Sequence, residues 1–190
     1  MPHIIGDTIY LREYRMEDLE AINTWRNIEE ITWWTAVYVW PESLGQTRQF
    51  VEDQINNVDP ANRKFAICLK ENNRYVGHIG YEGLDLRRRN TELGIVIGDP
   101  NLLSKGIGTE AINLFLKVCF DELGLHRVGL RVLRSNPRGM HCYEKCGFRE
   151  EGTIRQWHYS RGHWHDLVLM GILEDEYRAL HSRGAGPESA

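Results

Sequence analysis

The most constraining stretch of this chain is Ser104-Lys-Gly-Ile-Gly-Thr-Glu110, which runs directly into Ala111-Ile-Asn-Leu-Phe-Leu-Lys-Val-Cys-Phe120. The second part is helix-length and apolar on most faces. Such a helix packs inside a fold rather than on its surface. The first part sets two glycines one residue apart just ahead of it. A helix start leaves its first amides without intrahelical partners, at the positive end of the helix dipole. Glycine lets the backbone approach a ligand closely because no Cβ intervenes. Residues 105–109 therefore suit an anion such as a phosphate; the plain alternative is a tight strand-to-helix connection. The Walker spacing Gly-x-x-x-x-Gly-Lys-Ser/Thr is absent. The dinucleotide fingerprint does not fit either: Ala111 is a tolerated replacement at its third glycine, but no acid closes the following strand, where Arg131 and Arg134 stand instead.

The elements around this unit follow from periodicity and punctuation. Residues 8–14 alternate as a strand, and Met16, Leu19, Ile22 and Trp25 recur at helical spacing to about Asn27. Residues 29–41 read as irregular and aromatic. Ser43 and Gln46 form a capping box ahead of a helix to about Asn57, which buries Phe50, Val51 and Ile55. Three strands follow, around Phe65 to Leu69, Tyr75 to Ile79 and Glu92 to Ile97, with turns at Asn72-Asn73 and at residues 85–90. The apolar helix stops near Gly124, and Val128, Leu130 and Val132 alternate beyond it. Asn136-Pro137 starts a short helix that Gly147 ends. Strands at 152–159 and 163–172 flank a turn at 160–162, a last helix covers about 174–180, and 183–190 reads as a frayed tail. This order predicts an α/β chain: a mixed sheet of about seven strands with helices on both faces.

The 190 residues suit one domain, expected over 1–182. Lys plus Arg number 23 against 27 Asp plus Glu, a net charge of −4 that argues against broad nucleic-acid binding. No stretch is long and apolar enough for a membrane span, and the start lacks a secretory pattern. Cys68, Cys119, Cys142 and Cys146 form no Cys-x-x-Cys pair, so free thiols in a cytoplasmic protein are expected. His163 with His165, and His141 with Cys142 and Cys146, complete no usual zinc set, and no metal is expected.

Four motifs in order carry a resemblance. Glu92-Leu-Gly-Ile-Val-Ile-Gly-Asp-Pro100, Lys105-Gly-Ile-Gly-Thr-Glu-Ala111, Arg131-Val-Leu-Arg-Ser-Asn-Pro137 and Cys142-Tyr-Glu-Lys-Cys-Gly-Phe148 resemble the GNAT superfamily of acetyl-CoA-dependent N-acetyltransferases. The branch is similar to RimJ/RimL, named for acetylation of ribosomal-protein N-termini; polyamine acetyltransferases are also similar. The resemblance covers about residues 9–173. It implies a single-domain GNAT-like fold, mostly antiparallel, with a central parallel pair at 92–97 and 128–133 that splays apart to admit acetyl-CoA. It implies that backbone of Ile95, Val96 and Ile97 pairs with the pantetheine arm, and that a bulge at Gly94 or Gly98 opens the gap. The pyrophosphate would sit on amides of Lys105, Gly106, Ile107, Gly108 and Thr109, approached past Leu103 and Ser104. Leu103 departs from the usual Gln or Arg there. Asn136 would bond the cofactor arm, and Tyr143 matches the tyrosine near the leaving sulfur.

Acetyl transfer to an amine requires loss of the ammonium proton, donors on the thioester carbonyl and protonation of the departing thiolate. Tyr143 is the candidate general acid. Glu92 is the leading candidate base, directly or through water, with His78 and His158 as weaker candidates and amine desolvation as a route without a base. Trp33, Trp34, Tyr38 and Trp40, near Glu29, Glu30 and Glu42, are expected to border the acceptor with Glu92, by cation–π and charge attraction; aromatic packing of a long loop is the alternative. Trp157, Tyr159 and Trp164 could complete the wall. The acceptor implied by the RimJ/RimL likeness is a peptide or protein α-amine, with a polyamine or aminoglycoside as alternatives. A non-catalytic acyl-CoA sensor is the alternative of another class. Cys142 as an acyl-carrying nucleophile lacks an evident activating partner, so direct transfer is preferred. An exposed strand or the aromatic hairpin could form a homodimer.

Overall fold

The computed structural model describes residues 4–35 and 40–182. Its strands are β1 Ile4–Ile5, β2 Ile9–Arg12, β3 Arg63–Leu69, β4 Tyr75–Asp85, β5 Asn90–Ile97, β6 Arg127–Leu133, β7 Arg149–Ser160 and β8 His163–Leu173. They form one eight-stranded sheet in the order β1-β2-β3-β4-β5-β6-β8-β7. Every neighbouring pair is antiparallel except β5 and β6. Seven strands match the reading from sequence; the eighth is β1, two residues long and too short to show a period. The helices are α1 Leu19–Arg26, α2 Glu29–Thr35, α3 Leu44–Ile55, α4 Ile107–Lys117, α5 Pro137–Lys145 and α6 Glu174–Ser182. The expected tail at 183–190 lies outside the described residues.

Alternation in β3 decides what each face covers. Ile67 points to the side where Ala111, Ile112, Phe115, Leu116 and Phe120 of the α4 segment pack, all buried. Ala66 and Cys68 point to the other, against Leu19, Ile22 and Val51 of α1 and α3. Each large apolar side chain buried this way contributes about 1.5–3 kcal/mol. α4 continues into a wider π-type turn at Val118–Glu122 and closes at Gly124.

Local signals place several termini. Ser43 N–H donates to Gln46 Oε1 at 3.0 Å, and Gln46 N–H donates back to Ser43 Oγ at 3.3 Å, completing the capping box of α3. Gly139 N–H donates to Asn136 Oδ1 at 2.9 Å, and Pro137 opens α5. The expectation of an irregular segment at 29–41 needs correction: residues 29–35 are helical, with amides of Ile31 and Thr32 bonded to the Ile28 carbonyl at 3.0 Å. Tryptophan, threonine and isoleucine are poor local helix signals, so packing against the rest of the fold decides this element.

The parallel pair holds for three residues only: Asn90 with Arg127, Thr91 with Val128 and Glu92 with Gly129. Beyond them β5 stays with β4 as far as Ile97, while β6 stays with β8 as far as Leu133. Each strand follows its own neighbour as the sheet twists, and the two separate. The bulge expected at Gly94 or Gly98 is not there: the β4–β5 register is unbroken from Glu92 to Ile97, and its shift lies between Glu82 and Asp85. Gly98 instead makes room for the Trp25 ring, which a Cβ would overlap.

Candidate active site

A cleft of about 910 Å³ opens where β5 and β6 part. The strand edge over Leu93–Ile97 faces it with main-chain groups that β6 no longer engages. The N-terminus of α4 closes one end. Gly106 is the N-cap residue, with φ +87°, and it supplies no side-chain cap. The first-turn amides of Ile107, Gly108 and Thr109 are thus left to an outside acceptor. A Cβ on Gly106 would meet nothing within 4 Å, so the turn is open on that side. Leu103, Ser104, Gly106, Gly108 and Thr109 line the cleft. Lys105 and Ile107 do not line it: the Ile107 side chain is buried in the core and Lys105 is exposed. An open amide cradle beside an unpaired strand edge fits the diphosphate and pantetheine arm of acetyl-CoA.

α5 supplies the second wall. Asn136 lines the cleft, and its Oδ1 is already used on the Gly139 amide, which leaves Nδ2 as a donor. Tyr143 lines it too, with its ring 6.0 Å from that of Phe148 in an edge contact. Burial raises the Tyr143 phenol above its ordinary range, and the Cys142 and Cys146 thiols add to this. Its hydroxyl has no hydrogen-bond partner among the described residues. Cys142 Sγ lies 3.5 Å from Thr109 Oγ1. A hydrogen bond from Cys146 lowers the Cys142 thiol, and the same bond raises Cys146.

The third wall comes from β4, β5 and α2. Arg131 Nε donates to Glu92 Oε2 at 2.8 Å. Glu92, Glu82 and Arg131 line the cleft and also a polar groove of about 470 Å³ beside it. His78 lines the cleft and is buried; burial holds its imidazole well below the usual histidine range, reinforced by Lys64 and Arg26. Its Nδ1 lies 3.4 Å from the Tyr75 hydroxyl. His158 does not line the cleft and faces His165 instead.

The aromatic residues divide. Trp34 stands in the cleft wall with Ile31 and Trp157. Trp33 turns to the β7–β8 hairpin, 5.5 Å from the His165 ring and 4.1 Å beneath the Arg161 guanidinium. Arg161 also pairs with Glu29, so this contact ties α2 to the hairpin. Glu42 pairs with Arg26 and does not line the cleft. Tyr38 lies outside the described residues. The cleft residues not singled out from the sequence include Glu82, Lys64, Arg138 and Lys145. β4 runs to Asp85 instead of stopping near Ile79, and only the pairing register sets Glu82 opposite Glu92. Among the described residues no group of His, Cys, Asp and Glu could hold a metal ion.

Comparison with known proteins gives four findings. A family model described as an acetyltransferase (GNAT) domain matches residues 8–149. The spermidine N(1)-acetyltransferase of Vibrio cholerae is 30% identical over 175 residues, 91% of this chain and 97% of that protein. YdaF, a candidate ribosomal N-acetyltransferase of Bacillus subtilis, is 35% identical over 101 residues, 53% of this chain and 55% of that protein. Among solved structures, the Vibrio cholerae spermidine N-acetyltransferase in complex with CoA and spermine superposes with a TM-score of 0.81 at 27% identity, covering 90% of this chain and 99% of that one.

Proposed function

The chain belongs to the GNAT acetyltransferase family, and from that premise we propose that its acceptor is a polyamine of the spermidine class, acetylated at a primary amine. It is an acetyl-CoA-dependent N-acetyltransferase. The observation that carries the acceptor is Glu82 beside Glu92 in a cleft wall that also bears Trp34. Carboxylates and an aromatic face together attract an alkylammonium. The match to a spermidine acetyltransferase over nearly its full length supports the same acceptor.

Acetyl-CoA supplies the thioester. The amides of residues 105–109 hold its diphosphate, with Leu103 and Ser104 along the approach, while backbone of Ile95, Val96 and Ile97 and the Asn136 Nδ2 donor hold the arm. This fixes the reacting groups together, which provides the proximity advantage. Glu92 takes the proton of the arriving ammonium, directly or through water, and Arg131 keeps the carboxylate aimed. Tyr143, protonated at neutral pH as a phenol is, donates its hydroxyl proton to the departing sulfur. Trp34 forms the acceptor wall, and Trp33 steadies α2 against the hairpin. The four free cysteines support a reducing, cytoplasmic setting. The exposed β7 edge with Trp157 and Tyr159 supports a homodimer through the hairpin.

A RimJ/RimL-type protein α-amine is the second reading, favoured by the YdaF match over half of the chain. Mass spectrometry of products from acetyl-CoA with spermidine, an aminoglycoside and a peptide decides between them. Spermidine is expected to be the preferred acceptor; acetylation of the peptide alone would overturn the polyamine reading, and cofactor binding without any product would indicate a sensor. Tyr143→Phe is expected to lower kcat about 100-fold with acetyl-CoA affinity retained, and Glu92→Gln to lower it about 10-fold. Wild-type turnover in both removes these roles.

A further inference from the structure

The cleft and the polar groove meet at one pair of carboxylates. Glu82 on β4 and Glu92 on β5 are direct cross-strand partners. Such partners have Cα atoms about 4.5–5.5 Å apart and side chains on the same face. The adjacent row is Gly80 opposite Gly94, so no side chain rises beside the pair. One row further stands His78, only 8% exposed, whose Nε2 has no partner among the described residues although its Nδ1 meets Tyr75. The wall therefore carries polar side chains on either side of a bare glycine row, with Val96 across from His78.

Glu82 already holds an alkylammonium, supplied by the chain itself: Lys64 Nζ lies 3.1 Å from Glu82 Oε1. The Glu82 side chain is 42% exposed, so the pair is weak and exchangeable. Glu92, by contrast, is held by a guanidinium, that of Arg131.

We propose that Glu82 is a specificity-determining residue: it holds the second nitrogen of the acceptor while the first reacts beside Glu92, displacing Lys64. The assignment rests on the polyamine reading above. Two nitrogens joined by three or four methylenes lie about 5–6 Å apart in an extended chain, given ordinary bond lengths. That span is of the same order as the backbone spacing of the two residues that carry the carboxylates. A monoamine, or a peptide α-amine without a second cation at that distance, leaves Glu82 paired with Lys64 and gains nothing from it.

The test measures kcat/KM for spermidine and for n-butylamine in the full-length wild type, Glu82→Gln and Lys64→Met. Glu82→Gln is expected to lower the spermidine-to-butylamine ratio about five-fold, mainly through the spermidine KM. Lys64→Met removes the internal competitor and is expected to raise the same ratio about two-fold, the scale of a part-exposed ion pair. A merely structural role for Glu82 would depress both substrates together and leave the Lys64→Met ratio at or below wild type; that result overturns the assignment. A wild type that acetylates spermidine, with the ratio unmoved in Glu82→Gln, overturns the role of Glu82 alone. A wild type that acetylates no diamine overturns the polyamine reading and this assignment with it.

Discussion

Alanine at Gly106 and alanine at Gly108 should have opposite effects on stability, although the two residues are one position apart. Gly106 has φ +87°, in the left-handed region, and an added methyl there would meet nothing within 4 Å. Its whole cost is therefore conformational, about 1–2 kcal/mol. Gly108 lies in the first turn of α4, and its methyl would sit 3.5 Å from Cys142 Sγ, an ordinary contact. There alanine mainly reduces the freedom of the unfolded chain, a gain of about 0.4–1 kcal/mol. In a chain of this size 1 kcal/mol moves Tm by about 2–4 °C. Scanning calorimetry without ligand should thus show Gly106→Ala melting roughly 2–8 °C lower and Gly108→Ala roughly 1–4 °C higher. The amides that follow Gly106 form the anion cradle, so a backbone relaxing away from positive φ also turns them. Titration calorimetry should show acetyl-CoA affinity falling about ten-fold in Gly106→Ala, the equivalent of about 1.4 kcal/mol. An unchanged Tm for Gly106→Ala would refute the left-handed turn. Equal losses in both variants would mean that the glycines act through size and not through conformation.

Two further outcomes follow from the titratable groups. His78 is held neutral by burial, with Lys64 and Arg26 adding to it, whereas an unfolded chain protonates histidine near pH 6.5. The unfolded state binds the extra proton, so stability falls as pH drops below about 6.5, by up to ~1.4 kcal/mol per pH unit. Burial opposes the lowering of Asp99 and Glu110, but their hydrogen bonds prevail, and those contributions are lost only at more acidic pH. His78→Leu should flatten the Tm profile between about pH 5 and 6.5, and a slope unchanged from wild type would contradict the reasoning. Cys142, lowered by the Cys146 hydrogen bond and part-exposed in the cleft, should react with iodoacetamide at neutral pH ahead of the buried Cys68, Cys119 and Cys146. Acetyl-CoA should slow that labelling, read by peptide mass spectrometry; equal rates with and without it would argue against a ligand seated at residues 105–109.

Much of the architecture is legible in short stretches of sequence because local chemistry decides it. The glycine pair ahead of α4, the Asn136-Pro137 helix start and the Ser43–Gln46 capping box each depend on residues within four positions of one another. The motifs from Glu92 to Phe148 likewise point to the cradle, the strand edge and Tyr143, all of which line or form the cleft. What stayed illegible concerns partners far away in the chain. The helix Glu29–Thr35, whose Ile, Thr and Trp residues are weak helix formers, packs against α1 and β5, and Trp33 faces a hairpin more than 120 residues on.

Sequence alone therefore determined which turns the backbone takes and which segments alternate or coil, since neighbours along the chain set those energies. Only the tertiary structure decided that β5 and β6 part after Glu92 and that Glu82 stands across from it with Lys64 on its carboxylate. Strand partners and register are chosen by the burial of whole faces at once, and no single segment carries that information.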